Sequence, residues 1–301
     1  MRPLLAILFT ATATAQIAGC GVDMDPGDDD TTTDPPPAAD GYTRLISGAW
    51  TLPPATEKYV CVRLTATQDT FVRSLRPLAP TGTHHTVLML GAPDGKDGTV
   101  DCTSALSKPA IYASGVGTQA LDLPAGVAVH VRPGQQLLLN LHLFNATDAT
   151  ITGTSGIEIL EAEPDAVQHE AGVVLIGKAQ GLTVPPNLST QTGRCTTPAN
   201  VTVFALAPHM HMLGRHMKVS YANASGGDAR VLHDQAYSFD EQRFASMAPA
   251  LVTSAGGRIT VECTYMNPSG QTVYFGESSS QEMCYALTFV YPAPPVEQCL
   301  Q

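Results

Sequence analysis

Between Lys58 and Tyr291 the apolar positions fall into short runs of strand length, each stopped by Gly, Pro, Asp or Asn. Lys58–Leu64, Thr70–Leu75, His85–Leu90, Val127–Val131 and Gln136–Phe144 form one series. Gly156–Glu161, Gly172–Ile176, Thr202–Ala207, Met217–Tyr221, Arg258–Thr264 and Tyr285–Tyr291 continue it. β-Branched content is high and no helical periodicity lasts beyond about three turns, which predicts an all-β chain. Repeated short strands with turn punctuation predict antiparallel sandwiches. The polar stretch Glu161–Glu170 (EAEPDAVQHE) reads as a joint between two tandem jelly-roll-like domains, 41–166 and 167–301.

The pattern is different before residue 41. Arg2 and the apolar run Leu4–Phe9 have the size of a secretory signal, too short and too interrupted by Thr for a spanning helix of about 20 residues. Residues 1–19 are expected to be that signal. Ile17-Ala18-Gly19-Cys20 resembles a bacterial lipobox, which implies a lipid on Cys20 and an exported protein anchored to a bacterial membrane, outer membrane or periplasmic side. Residues 20–40, with seven Asp and four Pro, cannot bury apolar area and read as an extended, self-repelling tether.

Composition narrows the function classes. The chain has 301 residues and net charge −11, but removing Arg2 and those seven Asp leaves 15 basic and 20 acidic residues, a net of −5. That acidic balance argues against a phosphate-binding surface, since nucleic-acid binders carry basic patches. Apart from Cys20, six Cys remain (Cys61, Cys102, Cys195, Cys263, Cys284 and Cys299), an even number that suits three disulfides in an oxidising compartment. Spacing leaves all fifteen connectivities open, and the lack of a C-x-x-C pair argues against a thiolate zinc or redox centre.

The histidines carry the chemical signal. His209 and His211 form an H-x-H pair, and on a strand that spacing aims both rings to one side, as two ligands of one metal require. His142 shares a strand face with Leu138, Asn140 and Phe144. His84 and His85 are adjacent, so they can serve one ion only at a bulge or strand end, which Gly82 permits. His130, His169, His216 and His233 read as structural. Met210, Met212 and Met217 read as core filling, with Met210 facing away from any metal.

The segment Gly276–Cys284, ending Glu282-Met283-Cys284 and followed by Tyr285–Tyr291, resembles the one that supplies a methionine ligand in copper type II, ascorbate-dependent monooxygenases. This is the family of peptidylglycine α-hydroxylating and dopamine β-monooxygenases. The His-His pair, the strand His, the H-x-H pair and the Glu-Met-Cys segment occur in the family's order across Lys58–Tyr291. The resemblance implies one copper on His84, His85 and His142 and a second on His209, His211 and Met283, the latter three carrying catalysis. A thioether favours Cu(I) over zinc, which agrees. The resemblance also implies disulfides Cys61–Cys102, Cys195–Cys299 and Cys263–Cys284. Asn140, beside His142, is a candidate for fixing that ring's surroundings.

By the same resemblance the reaction is hydroxylation of a C–H bond with dioxygen and ascorbate or another external reductant, the methionine-bound copper handling oxygen and the other copper delivering an electron across an open cleft. One departure bears on substrate. The peptidylglycine branch has an Arg two positions before the H-x-H pair and an aromatic beyond Met-Cys, where this chain has Ala207 and Leu287, so peptide amidation is not expected. Thr86 also replaces a bulkier apolar residue. The expected partner is a small-molecule or small peptide-like substrate, with no nucleic acid, and the expected state is a monomer. The rival reading is an exported copper-sequestering lipoprotein without turnover. A zinc hydrolase or an adhesion sandwich leaves Met283 and the ordered His set unexplained.

Overall fold

The strands form where β-branched and apolar residues alternate with polar ones, and each ends at a turn residue. The computed structural model describes residues 40–103, 108–239, 241, 243–294 and 298–301, so the signal, Cys20 and nearly all of the tether lie outside the described residues. The first ten strands are β1 (Thr43–Leu52), β2 (Thr56–Thr65), β3 (Thr70–Leu78), β4 (Thr83–Gly91), β5 (Gly98–Asp101), β6 (Ala110–Gly115), β7 (Leu121–Asp122), β8 (Val127–Val131), β9 (Gln136–Asn145) and β10 (Ile151–Glu161). A 3-10 turn at Pro164–Ala166 and β11 (His169–Glu170) follow within the polar stretch expected to be a joint. Then come β12 (Gly172–Lys178), β13 (Thr183–Val184), β14 (Asn187–Thr197), β15 (Thr202–His209), β16 (Gly214–Ala222), β17 (Arg230–Ala236), β18 (Ala245–Val252), β19 (Gly257–Asn267), β20 (Val273–Tyr274), β21 (Cys284–Tyr291) and β22 (Gln298–Leu300). The protein is all-β.

Two sheets hold the first ten strands, in the orders β1-β10-β3-β8-β11, with β7 on β3, and β5-β2-β9-β4-β6. Two larger sheets follow, β18-β15-β21-β12-β22 and β14-β19-β16-β17, with β13-β20 as a small ribbon. Pairing is antiparallel except where β11 joins β8 and β22 joins β12. Leu88, Leu139, Leu141, Ile157 and Ile159 fill the space between the first two sheets. That cluster continues through Leu175 on β12, Phe204 on β15 and Leu287 and Phe289 on β21. A second cluster, with Val219, Val261, Tyr265 and Ala286, fills the other pair.

Two glycines set close approaches near the histidines. Gly82 has φ +103°, and a Cβ there would stand 2.7 Å from the Trp50 ring, so only glycine fits before Thr83. Trp50 Nε1 donates to Ser155 Oγ at 2.7 Å, and that hydroxyl also bonds Thr83 Oγ1 at 2.6 Å, which fixes the start of β4. On β12, a Cβ at Gly177 would lie 1.9 Å from the Cys284 carbonyl, so glycine lets β12 pack against the start of β21. The disulfides are Cys61–Cys102, Cys195–Cys299 and Cys263–Cys284, the set the resemblance implies.

Candidate metal centre

At the start of β4 the register slips: Thr83 pairs with Leu143, but His85 pairs with His142. Two residues of β4 oppose one of β9, which is a bulge, and it turns both adjacent imidazoles to the same side. His84 Nδ1 lies 3.2 Å from His85 Nδ1, and His142 Nδ1 lies 3.2 Å from the same atom. An imidazole nitrogen has one in-plane hydrogen or one lone pair, so His85 Nδ1 can serve only one of these contacts. A cation among the three would satisfy all of them. Nitrogens each about 2.0–2.1 Å from a tetrahedral metal stand roughly 3.3 Å apart, so the set fits a metal ion. Across the described residues this is the one group of three or more His, Cys, Asp or Glu side chains close enough to share an ion.

His142 is buried, at 2% exposure, between β2 and β4. Tyr59 stacks on its ring at 4.5 Å, and its Nε2 bonds Glu57 Oε1 at 2.6 Å. Asn140, expected to serve that ring, does not touch it. Its amide donates to Thr103 O at 2.8 Å and contacts both sulfurs of Cys61–Cys102, because Asn140 pairs with Cys61 on β2 whereas His142 pairs with Tyr59 on β2 and His85 on β4.

The H-x-H pair straddles the end of a strand instead of lying within one. His209 closes β15; Met210 and His211 belong to the turn that leads into β16. A side chain invisible to strand spacing holds that turn. Glu282, 0% exposed, accepts the His211 N–H at 2.9 Å, the Leu213 N–H at 2.7 Å and the Met283 N–H at 3.3 Å. Burial pushes its carboxyl up to about 7, opposed by those three N–H groups. His211 Nδ1 donates to Gln281 O at 3.1 Å, which leaves Nε2 as the ligand atom. Met283 O accepts from Tyr265 Oη at 2.7 Å, and the next residue, Cys284, is bonded to Cys263. Met210 and Met217 are buried in the second core, as expected, but Met212 is 57% exposed and fills no core, because the turn carries it outward.

Met283, His209, His211 and His85 all line one cavity of about 380 Å³. The His85 and His209 ring centroids are 6.2 Å apart, and Phe239 lies 4.5 Å from the His84 ring and 6.1 Å from that of His211. The two histidine groups therefore face the same cavity. The shared core explains the approach: Phe244, just before β18, packs at a tilt 5.4 Å from Tyr112 of β6 and edge-on 5.2 Å from Phe289 of β21. Burial, then the neighbouring imidazoles, holds His85 well below the ordinary range, and burial also lowers His142. Neutral imidazoles are the form a metal needs.

Burial and the charge of His209 push His211 down to about 3. In copper-free protein, a ¹⁵N imidazole titration is expected to find His211 neutral from pH 8 to about pH 4, so proton competition at this ring begins only in strong acid. A midpoint near the ordinary 6.5 would contradict the burial.

Three of the remaining histidines have structural partners. His130 bridges Asp69 at 2.7 Å and Glu170 at 3.1 Å, His216 pairs with Asp234 at 3.0 Å, and His169 stacks on Tyr291. Burial lowers the pKa of His233.

Residues 169–301 match the family model described as copper type II ascorbate-dependent monooxygenase, C-terminal domain. Among curated proteins, the chain is 23% identical over 209 residues to mouse DBH-like monooxygenase protein 1, covering 63% of this chain and 34% of that protein. The corresponding chicken protein is 22% identical over the same shares. Tyramine beta-hydroxylase of Caenorhabditis briggsae is 26% identical over 143 residues, 44% of this chain and 24% of the relative. The chain thus spans about a third of the length of the first of these relatives. Residues 169–301 thus resemble the C-terminal domain of the copper type II ascorbate-dependent monooxygenases, in keeping with the order of the His and Met residues along the chain.

Proposed function

We propose that the protein hydroxylates a C–H bond of a small, largely apolar substrate, using dioxygen and an external one-electron reductant such as ascorbate. The observation that carries this reading is the cavity onto which His85, His209, His211 and Met283 all open. His84, His85 and His142 would hold one copper, and His209, His211 and Met283 a second. When bound, copper supplies dioxygen activation at the second position and a stored electron at the first. The net change adds one oxygen atom to the substrate and releases the other as water, consuming two electrons from the reductant and two protons. Residues 41–166 would then contribute the electron-donating site and 167–301 the oxygen-handling one.

The chain's own residues prepare the site. Glu282 fixes the turn that presents His211 and Met283, and the bulge on β4 gathers three Nδ1 atoms. Ala207 and Leu287 pair in register on β15 and β21, and both line the cavity, so its wall is apolar where a carboxylate clamp would need an Arg. Among the described lining residues there is no Lys or Arg, which favours a substrate without a carboxylate near its reacting carbon. Three disulfides support an exported, oxidising setting.

Copper-reconstituted full chain is expected to hold two coppers by metal analysis. It should take up oxygen with ascorbate only when an apolar substrate is present, and transfer label from ¹⁸O₂ into the product. Tight copper binding without reductant-dependent oxygen uptake, across apolar, amine and carboxylate substrates, would establish sequestration instead.

A further inference from the structure

Glu57 lies on β2 two pairs from the Tyr59–His142 pairing and on the same strand face as Tyr59, so its side chain reaches the edge of the ring that Tyr59 stacks upon. Its Oε1 is 2.6 Å from His142 Nε2. A carboxylate only accepts, so Nε2 carries the hydrogen and Nδ1 keeps its lone pair. That Nδ1 is the atom 3.2 Å from His85 Nδ1, inside the three-His cluster. Glu57 thus selects the tautomer the cluster needs, and Tyr59 fixes the ring plane. The carboxylate has a second effect: its charge makes Nδ1 a stronger donor and stabilises the more highly charged ion beside it. The His211 ring differs: its Nδ1 donates to the neutral backbone carbonyl of Gln281 at 3.1 Å.

We propose that Glu57 is a positioning residue that fixes His142 as a ligand through Nδ1 and biases a copper ion held by His84, His85 and His142 toward Cu(II), setting that site as the electron donor. The redox half rests on the copper reading above; the tautomer half does not.

The test uses the full chain with His211→Ala, so that copper is measured at the three-His site alone. Glu57→Gln keeps an acceptor for Nε2–H but removes the charge. It should weaken Cu(II) about tenfold and leave Cu(I) unchanged, raising the site's potential by about 59 mV. Glu57→Ala should weaken both oxidation states by about 10- to 100-fold. In copper-free protein, ¹⁵N shifts should show His142 as the Nε2–H tautomer, turning into a mixture in Glu57→Ala. Equal weakening of Cu(I) and Cu(II) by Glu57→Gln, or no change, overturns the proposal. An Nδ1–H tautomer in the wild-type copper-free protein overturns it whatever copper does. Failure of the parent chain to bind copper here would sink the functional reading, and is told apart by the tautomer result.

Discussion

Met283→Ala is expected to lower turnover by at least about 100-fold while copper at the three-His position stays bound. The loss of a metal ligand should cost no less than the 10- to 100-fold typical for a residue that merely supports one. The substitution is clean because the two hydrogen bonds that fix residue 283 are made by its backbone: its N–H to Glu282 and its carbonyl from Tyr265. Alanine retains both. What disappears is the thioether at the wall of the cavity shared with His209 and His211. A soft sulfur donor matters most to Cu(I), so the copper–sulfur signal in X-ray absorption of the reduced protein should vanish together with oxygen uptake. Met212→Ala, at a 57% exposed position on the neighbouring turn, should change neither. Full activity in Met283→Ala would remove the residue from the site.

The sequence exposed those parts of this arrangement that depend on local spacing. Strands such as β8 appear with the expected bounds, and β2 and β9 differ by one or two residues at their ends. The bulge was visible in advance, since two adjacent histidines behind a glycine have few other ways to share a face. Strands β14 and β17 escaped because Asn187–Thr197 and Arg230–Ala236 are polar-rich, and their strand character comes from pairing with β19 and β16. Asn140 was misplaced because alternation gives the face of a residue but not its neighbour on the next strand. Glu57 and Glu282 went unnoticed for the converse reason. Glu57 meets His142 across 85 positions and Glu282 meets His211 across 71, and a lone Glu beside a turn reads as a solvated charge until the tertiary pairing is known. The Glu-Met-Cys motif contained the signal for Glu282, but its weight went to the sulfur.

Glu282→Ala should be the most damaging change to the fold of the site. Three backbone N–H groups converge on a carboxylate with 0% exposure, and alanine leaves them without that acceptor. Each buried N–H left unsatisfied costs about 1–3 kcal/mol, so a loss of at least about 3 kcal/mol in unfolding free energy is expected, a large part of the roughly 5–15 kcal/mol that holds a domain together. Glu282→Gln should fall between, because one oxygen still accepts while the amide nitrogen confronts an N–H donor. The damage should also be local in its chemistry. His211 and Met283 are both held by this carboxylate, whereas His84, His85 and His142 stand on β4 and β9, so copper should weaken at the first set and persist at the second. Urea unfolding monitored with and without copper separates the two effects. If Glu282→Ala unfolds within about 0.5 kcal/mol of wild type, water has replaced the carboxylate, and the turn bearing His211 is held by the Tyr237 hydroxyl on Met210 instead.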